Sequence, residues 1–356
     1  MLKKNVLLKY LRLGDLMKKR ILISGYGNVG KEIVRLIQKN NEYYKKMYDL
    51  ELLVCGILGS KGCIFQDFGL NLNALLEFGK GSDAIIKYSK IYRDTFYNYP
   101  VFEGDIFIDC SKSNIVAEGP SFEYIKSAMD RGMDIVLISK EALTKNFSYI
   151  KELAQNKNIR LKYSGATCAA LPTIDTAYYS LAGTNITSIY GILNGTTNYI
   201  LTKMSKEDCY FEEALQEAKN QGIAESDASL DIKGIDSASK ILIISNSVLG
   251  TNFNLKDVKI QGIQNINKSD IERAKKDKKE IKLISEVSYE NGNYNIEVSP
   301  KLIEKNNELN LVKGTNKGIV FCTEEMGKLF VFGGASNPKG AAAAAIKDVI
   351  NISREN

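Results

Sequence analysis

Carboxylates and a lysine are concentrated in one short stretch of the chain, residues 218–240. Asp236 and Lys240 lie four positions apart in this stretch, so a helix would place both side chains on one face. A lysine shielded from water in a closed cleft can have its pKa lowered towards neutrality and can then act as a general acid or base. The spacing by itself favours a simpler arrangement, in which Asp236 caps the helix and Lys240 is its ion-pair partner.

The composition narrows the choice of groups that can move protons. The 356 residues include no histidine, which excludes imidazole bases, Ser-His-Asp and Cys-His nucleophiles, and His-ligated metals. The six cysteines lie far apart and form no C-x-x-C pair, a pattern typical of reduced thiols and not of disulfides or a zinc site. Proton transfer must therefore use Lys, Asp, Glu, Tyr or Cys, and we expect no bound metal.

A glycine turn follows the first apolar strand of the sequence. Gly25, Gly27 and Gly30 have the G-x-G-x-x-G spacing, with Asn28 and Val29 at the start of an amphipathic helix. In such a turn the first glycine permits the tight bend, the second lets the backbone approach a pyrophosphate, and the third allows close helix–strand packing. The motif alone is weak, but its position between a strand and a helix predicts dinucleotide binding by these five residues.

The end of the second predicted strand bears on the choice between NAD and NADP. An NAD site favours a carboxylate there, about 20 residues past the glycine turn, to bind the ribose hydroxyls. The sequence instead has Ser60 and Lys61, which could receive a 2′-phosphate. We therefore expect NADP or NAD as cofactor, with NADP slightly favoured. The alternative is that Lys61 is only a solvated loop lysine.

The elements that must position these residues follow two patterns. Up to about residue 163, apolar runs of strand type at 20–24, 50–58, 105–109 and 135–138 alternate with helical stretches. This alternation predicts an α/β fold with a Rossmann-like parallel sheet. Beyond it the pattern changes to a strand at 186–193, an apolar helix from Asp236 and a hairpin around residues 280–298, which predicts a second α/β domain.

We predict four segments from these patterns. Residues 1–16 are an N-terminal extension, either an upstream start or an additional amphipathic helix, with no cleavage site for a secretory signal. Residues 17–163 form the dinucleotide-binding domain. Residues 164–338 form the second domain, and residues 339–356 form a C-terminal helix that returns to the first.

Net charge and hydropathy exclude other classes of protein. The net charge is +6, but the densest basic run, residues 273–279, is interrupted by Asp277 and lacks aromatic residues, so a solvated helix face explains it better than nucleic-acid binding. No apolar run has the length of a membrane span. We expect a cytoplasmic protein that binds neither nucleic acid nor membrane.

Two long motifs resemble those of the homoserine dehydrogenase family. The first is the stretch 218–240, with its spaced Ala, Gly, Asp, Asp, Gly, Asp and Lys, and the second is Gly191–Met204. The glycine turn, Ser139–Lys140 and the Gly333–Gly334–Ala335 segment follow in the family's order, so the similarity covers about residues 19–350.

The resemblance implies a reaction and an assembly. The reaction is reversible NAD(P)H-dependent reduction of L-aspartate 4-semialdehyde to L-homoserine, in threonine and methionine biosynthesis. The assembly is a homodimer whose second domain binds the amino-acid substrate and forms the dimer contact. No regulatory or kinase domain is expected. Two alternatives stay open: a Rossmann dehydrogenase for another small carbonyl substrate, and a catalytically silent NAD(P)-binding sensor.

The same resemblance assigns roles to individual residues. Lys240 matches the catalytic lysine and Asp236 the acid one turn before it, while Lys140 matches a lysine near nicotinamide and substrate. Whether Lys240 or Lys140 transfers the proton is open, and Lys240 is favoured. The remaining matches are Glu225 and Asp231 for the substrate amino group and hydroxyl region, Ser111 for a ribose or nicotinamide contact, and Gly334 for a loop that closes over the cofactor.

The sequence departs from the family pattern at three places. Ala228 stands where the acidic loop has proline, which should loosen the loop. Glu141 follows Lys140 where a second lysine is common, and we interpret it as a surface change. The segment 163–172 lacks the glutamate that contributes to a monovalent-cation site, because Ser164 or Gly165 stands in its place.

Overall fold

A parallel sheet organises the first part of the chain. The computed structural model describes residues 16–112, 119–334 and 337–355. Seven strands lie in the order β4-β3-β2-β1-β5-β6-β7. Their bounds are β1 Met17–Ser24, β2 Leu50–Gly59, β3 Gly62–Phe65, β4 Phe96–Tyr97, β5 Ile106–Asp109, β6 Asp134–Leu137 and β7 Leu161–Lys162. Strands β2, β1, β5, β6 and β7 are parallel to one another. At the edge beside β2, β3 pairs antiparallel with β2, and β4 pairs antiparallel with β3.

In the described part of the chain, five helices alternate in sequence with the strands of the first sheet. They are α1 Asn28–Tyr48, α2 Leu72–Glu77, α3 Gly81–Ile91, α4 Ser121–Asp130 and α5 Glu141–Asn156. Helix α1 turns its apolar stripe of Ile33, Val34 and Ile37 to the sheet, and these side chains are fully buried. The predicted βαβ unit around the glycine turn is present.

A six-stranded sheet forms the second part, in the order β13-β12-β8-β10-β11-β9. Its strands are β8 Ile186–Ile192, β9 Lys259–Ile260, β10 Lys279–Glu290, β11 Asn293–Glu304, β12 Lys317–Thr323 and β13 Gly327–Gly333. The helices are α6 Ser164–Cys168, α7 Gly195–Glu207, α8 Phe211–Asn220, α9 Ser229–Ile232, α10 Ile235–Val248, α11 Lys268–Lys276 and α12 Pro338–Arg354. A π-helical turn covers Thr176–Ser180, and short 3₁₀ turns cover Arg93–Thr95, Leu255–Asp257 and Glu308–Leu311.

The hairpin of the second sheet has the predicted two-residue turn. Asn291 and Gly292 have φ values of 51° and 83°, the left-handed pair that a tight β-hairpin requires. Strands β10 and β11 pair without interruption from Glu290–Asn293 to Lys279–Glu304. Together with the parallel sheet, this confirms the predicted fold class: a Rossmann-like sheet with a second α/β sheet domain. The boundaries drawn at residues 163 and 338 remain predictions.

The helix α12 leaves the second sheet and packs on the first. Its small residues, among them Ala342 and Ala345, share one buried cluster with Ile33 of α1. Alanine side chains allow two helices to approach closely over a long stretch. Arg160, just before β7, donates to the carbonyl of Ile352 in the last turn of α12 at 2.7 Å. In the described ranges, the chain has no helix with both the length and the apolarity to cross a bilayer.

The strands of the parallel sheet direct three polar segments to one edge. The glycine turn follows β1, Ser111 follows β5, and Lys140 follows β6. These strands are adjacent and parallel, so their carboxyl ends lie side by side. The strand order reverses between β1 and β5, and open α/β sheets bind ligands at the carboxyl ends of the strands beside such a reversal.

A buried lysine, Lys282, lies in the middle of the second sheet and is 1% exposed. Its ammonium donates to Asn198 Oδ1 at 3.1 Å and to the carbonyl of Val312 at 3.2 Å. Burial, with a contribution from the nearby Lys313 charge, lowers the pKa of Lys282 from 10.5 to about 8. The folded protein therefore carries a charge at neutral pH that burial disfavours.

This burial predicts how stability depends on pH. The unfolded chain keeps the Lys282 proton up to pH 10.5, whereas the folded chain releases it near pH 8, so the destabilising effect of this charge fades as pH rises through that interval. Relative to Lys282→Met, the wild-type free energy of unfolding should rise by about 1–2 kcal/mol between pH 7.5 and 9.5. Urea unfolding of both proteins at the two pH values measures this difference, and equal pH slopes would contradict it.

Candidate active site

The ion pair between Lys240 and Asp236 is the centre of the acidic stretch. Helix α10 begins at Ile235 after Gly234, whose φ of 78° ends the preceding turn, so Asp236 is the second helical residue and not the cap. Lys240 Nζ lies 2.6 Å from Asp236 Oδ2, and both side chains are less than one-sixth exposed. Lys240 also donates to the carbonyl of Leu193 at 2.9 Å. The ion pair of the simpler interpretation is present, in a largely buried setting.

A second lysine approaches the same carboxylate from the parallel sheet. Lys140 Nζ lies 3.6 Å from Asp236 Oδ1, the oxygen opposite the one that Lys240 contacts. Lys140 occupies the end of the segment after β6 and precedes α5, whereas Asp236 belongs to the second domain. One carboxylate therefore joins two ammonium groups from two different parts of the fold.

Asn194 connects the two aspartates and was not predicted as a site residue. Its Nδ2 donates to Asp231 Oδ1 at 2.6 Å and to Asp236 Oδ2 at 2.8 Å. Its Oδ1 accepts from the backbone N–H of Thr197 at 2.9 Å and caps helix α7. The sequence offered two signals for this residue: its place in the Gly191–Met204 motif and its type, an asparagine directly before a helix, which indicates a cap.

The two aspartates have opposite pKa shifts. Burial favours the neutral form of Asp236, but attraction to Lys240 and Lys140 outweighs it and holds the pKa of Asp236 far below its usual value. Burial, and then the Asp236 charge, raises the pKa of Asp231, despite the hydrogen bond from Asn194. At neutral pH, Asp236 is thus the fixed negative charge of the site.

The expected lowering of the Lys240 pKa is wrong. Burial does favour the neutral amine, yet the Asp236 carboxylate at 2.6 Å outweighs burial and raises the pKa of Lys240. The sequence indicated both burial and a neighbouring acid, but their balance depends on a distance that only the structure gives. Lys240 is therefore protonated at neutral pH and can act as a proton donor.

The other residues of the acidic stretch lie farther out. Glu225 is exposed in the loop between α8 and α9. Its loop is attached to the site because Thr196 donates to the carbonyl of Ile223 at 3.2 Å. Asp227 is also exposed and accepts from the backbone N–H of Ser229 at 3.0 Å. The structure thus brings Asp231, Asp236 and Lys240 together and leaves Glu225 at the rim.

The glycine turn is shaped by close backbone contacts. A Cβ on Gly25, whose φ is 93°, would lie 2.8 Å from the backbone of Ser111, and a Cβ on Gly30 would lie 2.2 Å from the Gly25 carbonyl oxygen. A Cβ on Gly27, by contrast, would meet no atom within 4 Å. Two glycines are therefore needed for packing, while the third leaves open space beside the first amides of α1, starting at Asn28 and Val29. This arrangement fits a dinucleotide pyrophosphate.

A continuous set of contacts joins the glycine turn to the lysines. The backbone N–H of Ser111 donates to Asp109 Oδ1 at 3.1 Å, and that of Ser139 donates to the Asp109 carbonyl at 3.1 Å. Lys140 follows directly and reaches Asp236. The predicted cofactor residues and the predicted acid–base residues thus belong to one connected region.

The two residues proposed to select the cofactor form a hairpin turn. Ser60 and Lys61 join β2 to β3, and both are exposed. Ser60 Oγ lies 2.8 Å from Ser82 Oγ, and Lys61 Nζ lies 3.7 Å from Asp83 Oδ1 at the start of α3. The second strand therefore ends in an antiparallel hairpin, and Lys61 lies exposed in its turn.

Gly334 lies where the second sheet meets the segment 163–172. Its φ is 67°, and a Cβ there would lie 2.8 Å from the backbone nitrogen of Leu171. Ala335, which shares its motif, lies outside the described residues. The glycine is required by this close approach.

The departures from the family pattern have structural counterparts. Glu141 is not a surface residue: it is 4% exposed, and its carboxylate accepts from the backbone N–H of Gly119 at 2.6 Å. Ser164, one of the two candidates for the place of the missing glutamate, donates to Asp348 Oδ1 of α12 at 2.8 Å. Ala228 is buried before α9. Across the described parts of the chain, no group of three or more Cys, Asp or Glu side chains could hold a metal.

The glycine geometry predicts two different outcomes for alanine substitutions. Gly27→Ala should leave the free energy of unfolding within about 0.5 kcal/mol of wild type, because nothing opposes its Cβ. It should still weaken NADPH binding at least about tenfold, because the methyl group fills the space left for the pyrophosphate. Gly30→Ala should reduce both stability and binding. Urea unfolding and NADPH fluorescence titration measure the two effects, and undiminished binding by Gly27→Ala would refute the assigned site.

Two family profiles match the chain. The profile described as homoserine dehydrogenase matches residues 172–350. The profile described as glutamate/leucine/phenylalanine/valine dehydrogenase matches residues 2–131. The first covers the second sheet and most of α12, and the second covers the glycine turn.

Similar proteins match nearly the full length. The homoserine dehydrogenase of Methanocaldococcus jannaschii is 35% identical over 334 residues, which are 93% of this chain and 98% of the relative. That of Sulfurisphaera tokodaii is 32% identical over 340 residues, 94% and 99% of the two chains. The NAD(+)-dependent homoserine dehydrogenase of Pseudomonas canavaninivorans is 27% identical over 337 residues, 94% and 96% of the two chains.

Solved structures agree with this similarity. A protein from Archaeoglobus fulgidus superimposes with a TM-score of 0.81 at 30% identity, covering 94% of this chain and 98% of that one. Homoserine dehydrogenase from Staphylococcus aureus superimposes with a TM-score of 0.73 at 28% identity, covering 95% and 76%. The matching profile, the relatives above 30% identity over almost their whole length and the shared architecture show that this chain belongs to the homoserine dehydrogenase family.

Proposed function

We propose that this chain catalyses the reversible NAD(P)-dependent interconversion of L-aspartate 4-semialdehyde and L-homoserine. The observation that carries the proposal is the meeting of Lys140 and Lys240 at the Asp236 carboxylate. It places two ammonium groups between the sheet that bears the glycine turn and the motif shared with homoserine dehydrogenases. Such a site can hold a small polar substrate next to a dinucleotide.

Lys240 is the proposed acid–base group. In the reducing direction its ammonium donates a hydrogen bond to the aldehyde oxygen and then gives up a proton as that oxygen becomes an alcohol. In the oxidising direction its neutral amine accepts the hydroxyl proton. The nicotinamide, when bound, supplies or takes up the hydride. The raised pKa of Lys240 suits the first role, and any group that weakens the hold of Asp236 assists the second.

Lys140 is proposed to support this proton transfer. Its ammonium reaches the other oxygen of Asp236, so it competes with Lys240 for the same negative charge. Lys140 also follows β6, which pairs with β5, the strand that precedes Ser111 on the cofactor side. We favour Lys240 for the transfer and Lys140 for stabilising the oxygen that develops negative charge.

The substrate ammonium is proposed to pair with Asp231 and Glu225. Asp231 lies in the site, fixed by Asn194 at 2.6 Å, and the arrival of a cationic group beside it would favour its ionised form. Glu225 stands at the rim on a loop tethered to Thr196, from which it can contact a bound amino acid. Asp236 is already occupied by two lysines, so it orients the amines and does not bind the substrate amino group.

The proposal extends to the cofactor, for which NADP is favoured, and to the assembly, a homodimer. The exposed Ser60–Lys61 turn offers a hydroxyl and an ammonium to a 2′-phosphate, which favours NADP over NAD, although Asp83 lies 3.7 Å from the same ammonium. A homodimer through the second domain is proposed by resemblance to the family, and exposed apolar side chains of that domain include Leu311 and Phe332. We place this enzyme in the cytoplasm, in threonine and methionine biosynthesis, by resemblance to the family.

A direct assay tests the proposed reaction. Purified protein should oxidise L-homoserine with NADP and, more slowly, with NAD, as followed by absorbance of the reduced cofactor. Activity on another small alcohol but not on homoserine would replace the substrate. Binding of NADPH without turnover of either substrate would identify a silent sensor instead.

The role of Lys240 predicts a selective loss. Lys240→Ala should lower kcat by roughly 10²–10⁴-fold while leaving the Kd for NADPH within a few-fold of wild type, since the acid–base group is removed and the glycine turn is not. Lys203→Ala is a matched control, because Lys203 forms a similar ion pair with Glu207 on α7 at 2.5 Å. That variant should keep wild-type kcat. A Lys240→Ala enzyme with near-normal turnover would refute the assignment.

A further inference from the structure

A second buried lysine, Lys317, lies beside the candidate site and has no role in the proposed reaction so far. It is the first residue of β12 and is only 2% exposed. Its ammonium donates to the carbonyl oxygen of Cys168 at 2.6 Å. At the head of an apolar strand, a lysine in a sequence is ordinarily interpreted as a solvated flank, so nothing in the sequence indicated this position.

The backbone that Lys317 holds is strained. Ala169, which follows Cys168, has φ 52° and ψ −109°. Residues other than glycine rarely adopt this backbone conformation. On its other side, this segment is confined by the close approach of Gly334 to Leu171. The Lys317 hydrogen bond fixes the peptide between Cys168 and Ala169, and thereby opposes relaxation of the strained residue.

The same segment and the acid–base lysine share one backbone carbonyl, that of Leu193. The Cys168 thiol lies 4.0 Å from the carbonyl of Leu193, which is the carbonyl that accepts from Lys240. The charged and titratable groups that act on Lys317 are Cys168 of α6, Lys240 and Asp236 of α10, and Lys140 after β6. Burial, reinforced by the neighbouring lysines, lowers the pKa of Lys317 to about 8, so it is mainly protonated at pH 7.

We propose that Lys317 is a positioning residue for Lys240: its ammonium holds the Cys168–Ala169 peptide in place and adds a third positive charge that makes Lys240 easier to deprotonate. Lys240 and Lys140 already contact the Asp236 carboxylate, the fixed negative charge of the site, whereas burial raises the pKa of Asp231. Lys317 adds a third ammonium group that interacts with this cluster. The excess positive charge opposes the pull of Asp236 on the Lys240 proton and favours a negatively charged substrate oxygen.

This inference rests on the proposed function, and the experiment separates the two. Lys317→Met removes both the charge and the donor, whereas Lys317→Gln removes the charge and keeps an amide donor. Lys282→Met is the matched control, a lysine of equal burial and similarly lowered pKa whose hydrogen bonds go to Asn198 and Val312. The readouts are the pH profile of kcat/KM for homoserine oxidation, and amide hydrogen exchange of residues 164–171.

The expected result is a shift of the acidic limb of the profile. In both Lys317 variants its apparent pKa should rise by roughly one unit, so that kcat/KM below that pKa falls about tenfold. Amide exchange of the segment 164–171 should increase in Lys317→Met and increase less in Lys317→Gln. The Kd for NADPH should stay unchanged, and Lys282→Met should keep the wild-type profile.

Three other outcomes decide against one proposal or the other. Profiles of the Lys317 variants that superimpose on wild type would overturn the inference while leaving the proposed function intact. Failure of both variants to fold, with Lys282→Met folded, would assign Lys317 a purely structural role and overturn it as well. A wild-type protein without homoserine turnover would instead remove the proposed function, and unchanged amide exchange would then remove what is left of the inference.

Discussion

The carboxylate of Asp236 is the interaction on which the site depends. It is largely buried, and an isolated charge in that position would be strongly disfavoured. Its two oxygens contact lysines from different parts of the fold, Lys240 of α10 and Lys140 after β6, and Asn194 adds a hydrogen bond. Because removal of either partner would leave a poorly compensated charge, the carboxylate requires helix α10, the segment after β6 and the start of α7 to keep their places. The same elements also share one buried apolar cluster, so electrostatics and hydrophobic packing act together in holding them.

The cofactor side of the site is built by different means. The glycine turn and the Ser111 segment fit together through backbone contacts that leave no room for a Cβ at Gly25 or Gly30. Sterics at this edge are insensitive to pH, whereas the protonation of the lysine–carboxylate cluster depends on it. The molecule thus combines a rigid backbone cradle with an adjustable set of charges. Substrate and cofactor can change the charges without disturbing the cradle.

The sequence predicted the parts of this arrangement that depend on local pattern. The βαβ unit at Gly25–Gly30, the hairpin at Asn291–Gly292 and the helical pairing of Asp236 with Lys240 all follow from periodicity and spacing. The environment of single polar residues could not be predicted in this way. Glu141 and Lys317 are buried by elements far away in sequence, and their residue types indicated a surface. The direction of the Lys240 pKa shift likewise depends on a balance between burial and one short distance.

The position of α12 has a consequence for how the chain acquires its structure. The first sheet shares a continuous buried cluster with this helix, in which Ala342 and Val349 pack with Ile33. Synthesis proceeds from the N-terminus, so the residues of α1 emerge long before those that cover them. The apolar surface of α1 that α12 covers therefore stays in contact with water until α12 has been synthesised. This ordering makes burial of the α1 face behind the dinucleotide cradle a late step, which follows synthesis of the second sheet.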